Sequence, residues 1–165
     1  MKIGGFQPFT LTDYPGHVAA IVFTQGCNFR CPYCHNARLL PIDRPKSELI
    51  PEAYVFDHLA KRRRQLDGLV ITGGEPTIQG DLPRFIRKAR RLVPSIKLDS
   101  NGSRPEVIRR LLEEGLLDYI AMDIKAPLDQ YESVVRRPVD ANTLQSSIDI
   151  IKNSGVPHEF RTPAL

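Results

Sequence analysis

The stretch Cys27-Asn28-Phe29-Arg30-Cys31-Pro32-Tyr33-Cys34-His35-Asn36 decides the reading of this 165-residue chain, because it holds all three of its cysteines. They fall at C-x3-C-x2-C spacing within one short loop. Thiolate sulfur is the usual ligand of iron–sulfur clusters, and a cuboidal four-iron cluster held by three cysteines keeps one iron without a protein ligand. That open corner can take a substrate or a cofactor. Other chemistries use the same residues. A structural zinc ion wants four ligands, and His35, directly after Cys34, is poorly placed to point at the same metal. A disulfide leaves an odd thiol and suits secreted chains. Buried unreactive cysteines occur singly rather than in such a cluster. The spacing favours the iron–sulfur reading over these three.

Working outward, composition describes an ordinary soluble globular chain, 41% hydrophobic and 25% charged, long enough for one domain with its own core. One domain over residues 1–165 is therefore expected. No apolar run approaches membrane-spanning length, and Met1-Lys2-Ile3-Gly4-Gly5-Phe6 lacks the apolar core of a signal peptide. A cytoplasmic location with reduced cysteines is expected. The net charge is +4, and basic residues clump at Arg62-Arg63-Arg64, Arg87-Lys88-Ala89-Arg90-Arg91, Arg109-Arg110 and Arg136-Arg137. No aromatic residues interleave them as a base-stacking platform requires. Solvated helix faces are the favoured reading, and no nucleic-acid or membrane partner is expected; an acidic protein surface would also be attracted.

Strand-like and helix-like segments alternate along the chain. Val18 to Thr24 is a nearly continuous apolar run, the pattern of a strand buried on both faces, and it leads straight into the cysteine loop. Residues 51–66 predict an amphipathic helix with Pro51 near its first turn. Leu69-Val70-Ile71-Thr72 reads as a strand, residues 82–92 as a helix and Ile96-Lys97-Leu98-Asp99 as a short strand. Pro105 to Leu112 is helical with Gly115 as its stop, Tyr119 to Ile124 a strand, and Ala141 to Asn153 a helix. Pro157 to Arg161 begins a further strand. This alternation predicts an α/β fold with a parallel sheet and right-handed crossovers. Ligand sites in such sheets gather at the C-terminal ends of strands. The cysteine loop, the Gly73-Gly74-Glu75 turn, the Asp99-to-Gly102 turn and the Asp123/Lys125 pair all sit there.

Each of these motifs also has a plain structural reading. Gly73-Gly74-Glu75-Pro76 is a turn, yet adjacent glycines let backbone groups approach a ligand and Glu75 can accept from an ammonium group. Asp99-Ser100-Asn101-Gly102 forms an Asx-type turn capping the next helix, or places polar groups beside a ligand. Asp123 and Lys125 lie two apart beside an apolar strand, where charges are costly unless partnered; a simple salt bridge satisfies them equally well.

With the aromatic Tyr33 before the third cysteine, the loop resembles the signature of the radical S-adenosylmethionine (SAM) enzymes. The runs Lys2-Ile3-Gly4-Gly5-Phe6, Leu11-Thr12-Asp13-Tyr14-Pro15-Gly16, Phe23-Thr24-Gln25-Gly26 and Cys34-His35-Asn36 narrow it. Over nearly all of residues 1–162 the chain is similar to the anaerobic ribonucleoside-triphosphate reductase activating proteins. The resemblance implies a partial parallel (β/α) barrel and a [4Fe-4S] cluster on Cys27, Cys31 and Cys34, with the amino and carboxylate groups of SAM on the open iron. It implies that backbone carbonyls at Gly73 and Gly74 hold the methionyl amino group with Glu75 in support. Asp99, Ser100 and Asn101 would lie beside the methionine or ribose. Asp99, Ser100 and Asp123 are implied as candidates for a monovalent cation, and Lys125 and Arg161 as neutralisers of the SAM carboxylate. Arg30 and Tyr33 would shape the loop around the cluster, although Tyr33 also reads as a packing residue.

The implied activity is that of a glycyl-radical-enzyme activase. One electron, delivered by a flavodoxin- or ferredoxin-type reductant, splits SAM into methionine and a 5′-deoxyadenosyl radical, which takes a hydrogen atom from a glycine of anaerobic ribonucleotide reductase. Two alternatives stay open: a radical SAM enzyme acting on a small molecule or RNA base, and a non-catalytic metal-binding scaffold. The sequence ends at Thr162-Pro163-Ala164-Leu165, where the relatives compared continue. A C-terminally short barrel with an exposed edge is therefore expected, and little activity from these residues alone.

Overall fold

Apolar runs that can be buried from both sides form the middle of a six-stranded sheet ordered β1-β2-β3-β4-β5-β6. The structure, a computed structural model, describes residues 1–163. Its strands are β1 (Ile3–Thr10), β2 (Ala19–Thr24), β3 (Gly68–Gly73), β4 (Ser95–Ser100), β5 (Tyr119–Asp123) and β6 (His158–Arg161). Strands β2 to β6 are mutually parallel, and β1 runs antiparallel to β2. Helices α1 (Glu52–Arg62), α2 (Leu82–Ala89), α3 (Pro105–Glu113), α4 (Tyr131–Val135) and α5 (Ala141–Asn153) alternate with them. This is the α/β partial parallel barrel expected from the sequence.

The two-residue period of the strands sorts their side chains. Ala20, Val22, Leu69, Ile71, Ile96, Leu98, Ile120 and Met122 point to one face, where Leu59 of α1, Phe85 of α2, Ile108 of α3 and Leu144 of α5 complete the main core. On the other face Ala19, Ile21 and Val70 pack with Tyr14, whose segment crosses back over the sheet. Local chemistry sets the helix ends. Pro51 precedes α1, with Glu52 in its first turn and Lys61 and Arg62 in its last, matching the helix dipole. Asp140 caps α5 by accepting from the Asn142 amide at 2.9 Å. Gly115, at φ +62°, ends α3 as expected, while Leu116 N donates to Leu111 O and Gly115 N to Leu112 O.

Two elements differ from the sequence reading. Strand β1 was not anticipated, because Gly4, Gly5 and Pro8 hide its pattern and bulges interrupt its register between Ile3 and Gly5 and between Gln7 and Thr10. The five-residue α4 is too short to show a helical period. Helix α1 also stops at Arg62 rather than Leu66: Gln65 and Leu66 turn back to the Arg62 carbonyl, and this buries Leu66. Ala164 and Leu165 lie outside the described residues. No helix among the described residues is long and apolar enough to cross a membrane.

Candidate functional site

The four motif turns meet. A cavity of about 230 Å³ is walled by the cysteine loop, the turn after β3, the end of β4 and the end of β5. Cys27, Cys31, Tyr33 and Cys34 line it, as do Gly73, Gly74 and Glu75, then Asp99, Ser100 and Asn101, then Asp123 and Lys125. Of the cofactor-binding and cluster residues expected from sequence, Arg161 lies off this wall, one step behind it.

The loop is held from both ends. Gly26, at φ +99°, starts it, and its amide and that of Cys27 donate to the Leu39 and Leu40 carbonyls at 2.7 and 3.1 Å. Arg30 folds back so that Nη1 donates to the Cys27 and Phe29 carbonyls at 2.5 and 2.8 Å, while its amide donates to Val135 O of α4 at 2.8 Å. Arg30 therefore does shape the loop. Phe29 packs edge-on against Tyr131 of α4. All three cysteines are free. Burial pushes the Cys27 thiol up to about 11, and burial also raises Cys31, against the opposing charge of Lys125. Among the described residues, no three His, Cys, Asp or Glu side chains surround a single-ion site. The Tyr33 hydroxyl is buried without a hydrogen-bond partner. Burial, then the neighbouring Cys31, raises its pKa.

The glycine turn has a packing duty beside any ligand contact. Gly73 sits at φ +118°, and a Cβ there would overlap the Thr24 backbone; at Gly74 it would overlap the Gly26 carbonyl, at the root of the cysteine loop. Gly74 thus allows two site turns to touch. Glu75, 1% exposed, accepts from Thr77 N, Thr77 Oγ1 and Ser100 Oγ through Oε1, and from Asn101 N through Oε2 at 2.7 Å. Burial raises its pKa against these bonds. The carboxylate is thus a tie between the β3 and β4 turns.

Asn101 forms the expected Asx turn, accepting from Ser103 N at 3.0 Å. It does not cap α3, whose N-cap, Arg104, makes no side-chain cap bond. Ser100 Oγ turns to Glu75 and accepts from Gly102 N at 3.1 Å. The charges at the ends of β4 to β6 form one network. Lys125 pairs with Asp123 at 2.7 Å, and Arg161 reaches Asp123 at 2.8 Å and Asp99 at 3.3 Å. The salt-bridge reading of Asp123 and Lys125 therefore holds. Asp99 Oδ1 lies 3.3 Å from the Lys97 ammonium but makes no well-aligned hydrogen bond. Burial raises the Asp99 pKa, and Arg161 and Lys97 oppose it.

Several residues that matter here escaped the sequence reading. Lys97, 2% exposed, donates to the Asp13 carbonyl at 2.6 Å and faces Glu159 at 3.4 Å. Its position two before Asp99 on one strand face was the available signal. Gln25, fully buried, donates to the Arg38 and Pro41 carbonyls at 3.1 and 2.7 Å and braces the segment after the cysteines. Asn28 binds across to the β4 turn, a tertiary contact without a sequence signal.

Residues 21–165 match the radical SAM superfamily. A Methanocaldococcus jannaschii protein named provisionally as a glycyl-radical enzyme activating enzyme is 34% identical, over 97% of this chain and 67% of its own length. A Thermococcus kodakarensis protein named provisionally as a GTP 3′,8-cyclase is 30% identical over 63% of this chain and 33% of its own. The solved structure of native anSMEcpe with bound AdoMet is similar in fold, with a TM-score of 0.60, 14% identity and coverage of 82% of this chain and 40% of that one. The chain thus spans from a third to two thirds of the curated relatives named here. By the family match and the first relative alike, the chain belongs to the radical SAM superfamily.

Proposed function

We propose that this chain is the radical SAM domain of a glycyl-radical-enzyme activase whose target is anaerobic ribonucleoside-triphosphate reductase. The carrying observation is the shared cavity, in which three soft thiol donors face two glycine carbonyl positions and a set of paired charges. The donor set fits the family's cofactors. Two buried polar atoms on its wall, Tyr33 Oη and Asp99 Oδ1, lack hydrogen-bond partners within the chain. When bound, a [4Fe-4S] cluster with SAM supplies one-electron cleavage of SAM and hydrogen-atom abstraction from a glycine of the partner.

Cys27, Cys31 and Cys34 would hold the cluster, and metal charge would drive off the protons that burial retains on the thiols. Carbonyls at Gly73 and Gly74 would take the SAM ammonium. Lys125, on the cavity wall, would meet its carboxylate in competition with Asp123, and Arg161, behind the wall, would stay with Asp123 and Asp99 or turn inward to share that anion. A monovalent cation on Asp99 and Asp123 would have to replace the Arg161 guanidinium that now bridges them. The electron would come from a flavodoxin- or ferredoxin-type protein.

The test is anaerobic mixing of the reconstituted protein with SAM, a reductant and anaerobic ribonucleotide reductase. A glycyl radical seen by electron paramagnetic resonance supports the proposal. SAM cleavage without that radical would favour a small-molecule or RNA-base substrate, the reading to which the cyclase relative lends weight. No cleavage at all would favour a scaffold.

A further inference from the structure

The cysteine loop must stand at a fixed spacing from the turns that would receive SAM, and the structure contains a link that sets it. We propose that Asn28 and Asn101 are a positioning pair that locks the cysteine loop onto the β4 turn before any cluster binds. The inference rests on reading Cys27 to Cys34 as the cluster loop.

Asn28 follows the first cysteine, and its side chain leaves the loop for the neighbouring turn. Nδ2 donates to Ser103 Oγ at 2.8 Å, and Oδ1 accepts from Asn101 Nδ2 at 2.9 Å. Asn101 in turn accepts from Ser103 N at 3.0 Å and gives its own amide to Glu75 Oε2 at 2.7 Å. Hydrogen bonds therefore run unbroken from the cysteine loop through the β4 turn to the glycine turn. The amide orientations follow from one fixed group. Ser103 N can only donate, so Asn101 must present its oxygen there and its nitrogen to Asn28. Asn28 must then offer its oxygen to Asn101, leaving its nitrogen for the Ser103 hydroxyl. Flipping either amide sets like groups against each other.

Asn28 lines no part of the cavity, whereas Asn101 is 5% exposed and would be left with an unmet donor if Asn28 were removed. The loop's other bonds join it to Leu39, Leu40 and Val135, and at its root the Gly26 carbonyl accepts from Glu75 N of the glycine turn at 2.8 Å; none of them reaches the β4 turn. The asparagine pair is what ties the first half of the loop to the β4 turn.

The experiment starts with the metal-free chain and reads thiol alkylation at Cys27 by mass spectrometry under native conditions. Asn28→Ala should raise the Cys27 rate roughly tenfold, the size of one net hydrogen bond, with the melting transition still cooperative. Asn101→Ala, which leaves the bond from Asn28 to Ser103, should give a smaller rise, and the double variant should not exceed Asn28→Ala, because Asn28→Ala already breaks both bonds of the link. Ser103→Ala removes a single hydroxyl from a partly exposed turn and should give a rise of a few-fold, about half the link; it carries the test if the asparagine variants do not fold. After reconstitution, Asn28→Ala should also weaken SAM binding, although its side chain does not line the cavity. Unchanged Cys27 labelling in Asn28→Ala and Ser103→Ala, or independent multiplication of the two asparagine effects, would overturn the proposal. Faster labelling in variants of a chain that takes up no iron would uphold the link while removing the proposed cofactor.

Discussion

The two faces of the sheet are built from the same strands by opposite chemistry. Toward the helices, Ile96, Leu98, Ile120 and Met122 are fully buried among apolar side chains. On the other side of the same two strands stand Lys97, Asp99, Tyr119 and Asp123, joined to Glu159 and Arg161 of β6. The helix face contributes stability without specificity. The other face carries charges that are individually costly to bury and are tolerated because they pair. Its apolar part, Ala19, Ile21 and Val70 under Tyr14, is centred on β2 and β3 and reaches Tyr119 of β5. The fold thus separates the half that holds the chain together from the half available to a ligand.

Substitutions on the two faces should differ in size. On the helix face, Phe85→Ala removes a fully buried ring packed 4.9 Å from Phe56. It should cost about 3–5 kcal/mol in chemical denaturation. Across the sheet, Lys97→Met leaves Asp99 and Glu159 short of a cation. Because Arg161 remains beside both and Glu159 is partly exposed, the loss should stay near 1–3 kcal/mol, roughly the cost of an unmet buried polar group. An effect as large as that of Phe85→Ala would break the contrast. Tyr14→Phe removes only the hydroxyl that bonds Ser95, and about 1 kcal/mol is expected in the same measurement. Lys61→Ala, at an exposed i,i+4 pair with Asp57, should change stability by less than about 0.5 kcal/mol.

This division also explains what the sequence could disclose. The helix face follows from apolar periodicity, so the parallel strands and four of the helices were legible, although α1 ends at Arg62 and α2 at Ala89, short of the expected Leu66 and Leu92. Gly115 as a stop and residues 141–153 as a helix depended on purely local chemistry. Strand β1 was not legible, because its glycines, proline and bulges erase the two-residue pattern, and its place comes from pairing with β2. At the site, the turns could be gathered at one mouth because parallel topology puts strand ends together. What each side chain does there was less accessible. Glu75 is engaged by four donors within the chain, Gly74 is required by the Gly26 carbonyl, and Asn28 reaches a partner seventy-five residues away. Such contacts exist only after folding.

The central claim, three cysteines holding a cluster beside a SAM pocket, is tested most directly by iron analysis and electron paramagnetic resonance of the anaerobically reconstituted, reduced chain. The account predicts about four irons per chain, a signal that changes when SAM is added, and loss of the iron when Cys27, Cys31 or Cys34 is replaced by alanine. Stoichiometric zinc that iron cannot displace, or a cluster signal that SAM leaves unmoved, would contradict it.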